Sequence, residues 1–180
     1  ILGRIEKVEN IKYDIIVSRA LSNLDKLFTY YNTDKASFIN NGKDRGHGFA
    51  KFYETHLNSF KHKKIKILEI GSYSGASAAA FIKFFPNAEI YCLDVNLLNF
   101  KYSSKKMHVF GMNSSNNKMM LKFLSKIDFF ETIKNFDIII DDGSHIQSDQ
   151  LNALNFFYKH VCSGGFYIIE DYKFPNYFEH

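Results

Sequence analysis

The chain has no tryptophan, two cysteines and two prolines among its 180 residues, and arginine supplies only three of its 23 basic side chains. Each shortage excludes something. Cys92 and Cys162 stand in no Cys-x-x-Cys pattern, so neither a zinc ribbon nor a dithiol redox centre is expected, and both read as small buried hydrophobes of a reducing cytoplasm. Arginine is the residue favoured for bidentate contacts to phosphate and base edges, so a net charge of +4 carried almost wholly by lysine argues against a nucleic-acid partner. The densest basic run, Lys61-His62-Lys63-Lys64, reads as a solvated loop before a strand. No stretch of eighteen apolar residues is present to span a membrane, and no charged and then apolar leader marks secretion, so a soluble protein is expected.

What the chain does hold is bulk for one core. Its length suits a single domain that buries roughly 70% of its unfolded surface without metal or disulfide staples. Residues 14–32 space apolar side chains as an amphipathic helix does, a polar loop follows over 33–48, and a second helical pattern runs over 49–60. Residues 1–60 thus read as an N-terminal helical cap. Residues 61–180 alternate: strand 65–70, helix 75–85 stopped by Pro86, strand 89–94, strand 107–111, helix 117–125, strand 136–141. Helix 148–162, closed by Gly164-Gly165, and strand 166–171 complete the pattern. Five strands with helical crossovers predict an α/β fold, a Rossmann-like, doubly wound, mostly parallel sheet. Near-continuous apolar runs such as Phe136-Asp137-Ile138-Ile139-Ile140 suit strands covered on both faces.

The first strand breaks into Glu69-Ile70-Gly71-Ser72-Tyr73-Ser74-Gly75, and Asp94 ends the next strand nineteen residues later. Glycines at such a turn let the backbone approach a ligand, and an acid about twenty residues on is placed to accept both ribose hydroxyls. The spacing is G-x-x-x-G, lacking the third glycine of a dinucleotide fingerprint, so a pyrophosphate is poorly served. Glu69 puts negative charge at the mouth of the turn, which repels phosphate and attracts an ammonium or sulfonium. S-adenosylmethionine fits that pattern.

Two further strand ends are acidic: Asp141-Asp142-Gly143-Ser144-His145 and Glu170-Asp171. Residues ending neighbouring parallel strands converge on one rim. Four carboxylates there repel unless a cation is present, and an oxygen-rich set favours a hard ion such as Mg²⁺. His145 follows Asp142 by three residues and is of the residue type suited to a general base.

At this point the chain resembles the class I S-adenosylmethionine-dependent methyltransferases, and within them the metal-dependent sugar O-methyltransferases of the mycinamicin and macrocin type. The resemblance is carried by Thr33-Asp34-Lys35, His47-Gly48-Phe49, Tyr53, Leu68-Glu69-Ile70-Gly71 with Gly75, Asp94, the Asp141–His145 segment and Gly164-Gly165 through Glu170-Asp171. It implies an enzyme that binds Mg²⁺ through Asp142, Glu170 and Asp171, uses His145 as base, and methylates a sugar hydroxyl of a nucleotide-linked sugar, surface glycan or glycoside. It also implies that Asp94 holds the ribose, that Glu69, Gly71, Ser72 and Gly75 line the methionine and ribose side, and that Asp141 meets the cofactor ammonium. Lys35 is expected either to neutralise the cofactor carboxylate, to position substrate, or to end a helix in solvent.

The chain departs from that pattern in two places. Where the family usually has Gly-Asp-Gln after strand three, this chain has Gly111-Met112-Asn113, so Asn113 or a backbone carbonyl is expected to take over the contact with the adenine amino group. The sequence also stops at His180 without the sixth and seventh strands usual in the class, which predicts either a piece of a longer protein or a homo-oligomer contact covering the strand-five edge. Two other readings keep the fold: a metal-dependent hydroxylase of the cephalosporin hydroxylase-like branch, and a non-catalytic nucleoside-binding subunit. Iron oxygenases prefer two histidines and one carboxylate. One histidine with several acids favours methyl transfer.

Overall fold

The structure, a computed structural model, describes residues 6–7, 23–130 and 135–172, with only the backbone course for 6–7 and 127–130. They form two compact units interleaved in sequence: residues up to Ile65 with Tyr73–Glu89 and Leu98–Met107, and Lys66–Ser72 with Ile90–Leu97 and the residues from His108.

Among the described residues the first unit holds the helices α1 (Leu24–Tyr31), α2 (Ala50–Leu57) and α3 (Ala76–Phe84). The helix expected over 14–32 begins at Leu24, and residues 14–22 lie outside the described residues. Asn23 sets the start: its backbone is extended and its side chain accepts from the N–H groups of Asp25 and Lys26 at 2.8 and 3.3 Å. Asn32, left-handed at φ 55°, ends it. Phe28, Tyr53 and Phe81, one from each helix, meet edge-on with ring centroids 5.2 to 6.2 Å apart, the arrangement aromatic quadrupoles favour. The alanine-rich α3 is buried on nearly every side, as a helix apolar all round must be.

The polar loop expected over 33–48 is more ordered than its composition suggests. Phe38–Ile39 pairs antiparallel with Asp44–Arg45, and the N–H groups of His47, Gly48 and Phe49 donate to the carbonyls of Asp34, Ala36 and Lys35. The Thr33-Asp34-Lys35 and His47-Gly48-Phe49 segments therefore lie side by side. Lys35 is buried at 2% exposure, which rules out the solvated helix-end lysine.

The second unit is built on a five-stranded parallel sheet of β1 (Lys66–Ile70), β2 (Glu89–Asp94), β3 (Met107–Gly111), β4 (Phe136–Asp141) and β5 (Val161–Ile169), in the order β3-β2-β1-β4-β5. Helices α4 (Asn117–Phe130) and α5 (Gln147–Phe157) supply Met120, Phe123, Ala153 and Phe157 to a core shared with Leu68, Ile70, Leu93, Phe136 and Ile139. The chain winds outward from β1 through β2 to β3, then crosses back to β4 beside β1. In such sheets the carboxyl ends of the two strands flanking the reversal bound a crevice.

Boundaries differ from the sequence reading, most of all between α5 and β5, and β5 ends at Ile169, just before Glu170-Asp171. Helix α5 stops at Phe157, a single 3₁₀ turn spans Tyr158–His160, and β5 already starts at Val161, so Cys162 lies in a strand and not at a helix end. Gly164-Gly165 is a bulge in that strand. Phe136 pairs with Val161 and Ile138 with Phe166, the register shift falling between. Gly164 takes φ +77°, and a Cβ on Gly165 would lie 2.5 Å from the Asp137 carbonyl oxygen. No helix among the described residues is long and apolar enough to cross a membrane.

Candidate functional site

The ends of β1 and β4 come together more closely than side chains would permit. Gly71 adopts φ +83°, and a Cβ there would lie 2.0 Å from the Asp142 carbonyl oxygen. The Asp142 N–H in turn donates to the Ile70 carbonyl at 2.9 Å. Only glycine fits.

A cavity of about 150 Å³ opens at this place. Ile70, Leu93, Val95 and Met112 give it apolar walls, Gly71 and Gly143 give it bare backbone, and Asp94, Asn113, Ser114, Ser144 and Asp149 give it polar groups. A site for a whole drug-sized ligand runs from roughly 300 Å³ upward, so this volume suits one ring system of a larger molecule. Apolar walls for a flat base and an acid at the end of β2 to accept from hydroxyls are what a nucleoside needs, and the residues present therefore fit an adenosine cofactor.

Of the residues expected to bind that cofactor, Gly71, Asp94 and Asn113 line the cavity. Asp94 is fixed by an Asx turn in which Oδ1 accepts from the Asn96 N–H at 2.8 Å. Glu69 is buried within β1 at 1% exposure, and Ser72 is buried with its hydroxyl donating to the Glu69 carbonyl at 3.2 Å. Neither lines the cavity. Gly75 belongs to the first unit, where it starts α3 at φ +74°. Sequence reasoning missed Val95, Ser114, Ser144 and Asp149. Only the last carried a signal, as an acid in the first turn of a helix.

At the ends of β4 and β5, ligand atoms of Asp142, His145 and Asp171 all lie within 4.8 Å of one another. Metal–oxygen distances near 2.1 Å place octahedral ligands roughly 3 to 4 Å apart, so small side-chain shifts would bring the three onto one divalent cation. His145 Nε2 and Asp142 Oδ1 are 3.0 Å apart. His145 and Asp171 are both left-handed, at φ 55° and 51°, strain of the kind that collects at functional sites. Two side chains of α5 hold this rim in place: Gln150 donates to the Glu170 carbonyl at 3.2 Å and Gln147 to the Tyr172 hydroxyl at 3.0 Å. Glu170 is buried at 5% exposure, and among the described residues its carboxylate is not part of the three-ligand group.

Asp141 lies beneath this cluster, buried at 2% exposure. Burial pushes its carboxyl up to about 6, with the neighbouring Asp142 adding to the rise. The Gly143 N–H at 3.2 Å, the Tyr167 hydroxyl at 3.4 Å and His145 pull the other way. The Tyr167 phenol is itself driven upward, first by burial and then by the charge of Asp141.

No protein-family model matches the chain. It is 30% identical over 155 residues to the mycinamicin VI 2''-O-methyltransferase of Micromonospora griseorubida, covering 82% of this chain and 35% of that one. It is 28% identical to the L-olivosyl-oleandolide 3-O-methyltransferase of Streptomyces antibioticus, covering 82% and 36%. The solved structure of the MycE methyltransferase of the mycinamycin biosynthetic pathway, in complex with Mg, SAH and mycinamycin VI, superposes with a TM-score of 0.67 at 28% identity, covering 83% of this chain and 39% of that one. The chain thus spans about a third of the length of the curated relatives it matches. By fold and by sequence it shares the core of the class I S-adenosylmethionine-dependent methyltransferases and resembles the mycinamicin and macrocin sugar O-methyltransferases.

Proposed function

We propose that the chain transfers a methyl group from S-adenosylmethionine to a sugar hydroxyl, on a nucleotide-linked sugar, a surface glycan or a glycoside, with the help of Mg²⁺. The observation that carries this reading is the Asp142–His145–Asp171 group at the strand ends of the unit that holds the cavity sized for one ring system. The named activities of the relatives, all O-methylations of glycosides, support the acceptor class.

Asp94 would take the ribose hydroxyls and Gly71 would let the backbone close on the cofactor, with Asn113 at the base. Glu69 and Ser72 would shape the methionine side. Asp141 would meet the ammonium, since a cation beside a buried carboxyl favours its ionised form. Asp142 and Asp171 would hold the cation, with Glu170 reaching it through a side-chain rotation or a water. When bound, the cation makes a coordinated hydroxyl more acidic and the sulfonium offers the methyl electrophile. His145 donates from Nε2 to Asp142, an assignment that follows from the hydrogen bond, and keeps Nδ1 as acceptor. That nitrogen takes the hydroxyl proton as the oxygen takes the methyl, leaving S-adenosylhomocysteine and a methyl ether.

One observation favours a second reading. The imidazole itself falls within ligand range, and a nitrogen donor suits a transition metal, as a hydroxylase of this fold would need. His145→Ala separates the two. For a base, turnover drops about 10²- to 10⁴-fold while affinity for S-adenosylhomocysteine and for Mg²⁺ is retained. A collapse of metal affinity makes His145 a ligand, and unchanged turnover removes it from the chemistry.

A further inference from the structure

Two residues past the end of β3 stands Asn113, where an acid is expected to accept from the adenine amino group, and its hydrogen bonds leave it unable to take over the task. Its Oδ1 accepts from the Ser115 N–H at 2.9 Å and from the Ser115 hydroxyl at 2.6 Å. The backbone N–H fixes which end of the amide faces Ser115, because only the oxygen can accept. What Asn113 offers the cavity is its NH₂ end, a donor. The amino group of adenine is also a donor, and two donors do not pair.

A carboxylate does border the cavity, from a different element. Asp149 lies in the first turn of α5 and lines the cavity together with Asn113, Ser114 and Ser144. Its Oδ2 accepts from the Ser144 hydroxyl at 2.7 Å. Ser144 is held in turn by the Ile146 N–H, which donates to its Oγ at 3.3 Å. Among the described residues no second donor to the Asp149 carboxylate is found, so Oδ1 keeps its accepting capacity. The rim therefore carries an oriented acceptor from α5 and a donor from the turn after β3. This is the complement of an amino group beside a ring nitrogen on the Watson–Crick edge of adenine.

We propose that Asp149 reads the 6-amino group of the cofactor's adenine, with the Asn113 amide donating to a ring nitrogen. The proposal rests on the assignment of an adenosine cofactor to this cavity. It makes the nucleoside specificity of the chain depend on α5 and on the Ser144–Asp149 bond, and no longer on the end of β3. It also predicts discrimination against a 6-oxo base, whose carbonyl would face the carboxylate.

The test is calorimetric titration of the full 180-residue chain with S-adenosylhomocysteine and with S-inosylhomocysteine, in which a carbonyl replaces the amino group and N1 carries a proton. The unaltered chain is expected to prefer the adenosine form by roughly 10- to 100-fold, the range of one charge-assisted hydrogen bond. Asp149→Asn is expected to shrink that preference by about tenfold, because an amide can turn either end to the group at position 6. If Asp149 serves only to cap α5, the variant lowers thermal stability and leaves the preference intact, which overturns the proposal. If the unaltered chain binds both forms equally, the proposal also fails, and this arm stands even where the variant does not fold. Binding of neither form by the unaltered chain overturns the cofactor assignment itself.

Discussion

Cys92 and Cys162 are the same residue type in strands of one sheet, yet their surroundings give them different chemistry. Cys92 is fully buried in β2, and its thiol is pushed well up, first by burial and then by the charge of Glu69, against a hydrogen bond with Ser72. Cys162 is only partly buried in β5, where burial and then Asp137 raise its thiol while Lys66 lowers it. The thiolate is the reactive species, so both thiols are slow, and access decides between them. A disulfide reagent at pH 8 is expected to titrate one thiol of the native chain slowly and the second only on unfolding, with Cys162→Ser abolishing the native reaction. Two fast equivalents in the native state would contradict the burial of Cys92. The same local logic explains why Asn113 and Asp149 exchange the roles that sequence position would give them. A side chain's partners within its own turn decide what it has left to offer a ligand.

At the scale of elements, the glycine turn after β1 and the bulge in β5 illustrate what a sequence does and does not display. An apolar run cut by Gly71 is legible as a strand and turn because both signals are local. Gly164-Gly165 after a helical pattern looks the same as a helix cap, and only the Asp137 carbonyl of the neighbouring strand reveals the bulge. Asp142 and His145 were legible as a pair three residues apart, and Asp171 as a strand end. The burial of Lys35 and the placing of Asp149 and Asn113 on one cavity arise from contacts between segments that no local pattern records. The two kinds of glycine make a testable contrast. Gly71→Ala forces a Cβ against a carbonyl that its own ladder hydrogen bond holds in place, and is expected to cost on the order of 3 kcal/mol or more, with loss of cofactor binding. Gly42→Ala and Gly164→Ala meet nothing within 4 Å and pay only for a positive φ, about 1 kcal/mol. Urea unfolding of the three variants checks the order, and equal midpoints would show that the approach of β1 to β4 is not fixed.

For the molecule as a whole, the region shared with the relatives is about a third of their length, so binding of the cofactor is a more direct measure of what this chain does alone than turnover is. Every residue that lines the cavity belongs to the second unit, whereas the aromatic cluster of Phe28, Tyr53 and Phe81 belongs to the first. A ligand that binds only the folded state stabilises it by about 2.7 kcal/mol at one hundred times its Kd. For a chain of this size that raises the melting temperature of whatever unfolds with the site by roughly 5 to 10 °C. S-adenosylhomocysteine is therefore expected to slow amide exchange in β1, β2, β4 and the first turn of α5, and to leave α1 and α2 exchanging as before if the two units open separately. Uniform protection would show that the units unfold as one cooperative body. Protection confined to α1 and α2 would place the cofactor away from the β1–β4 crevice and remove the basis for reading Asp94, Asn113 and Asp149 as its contacts.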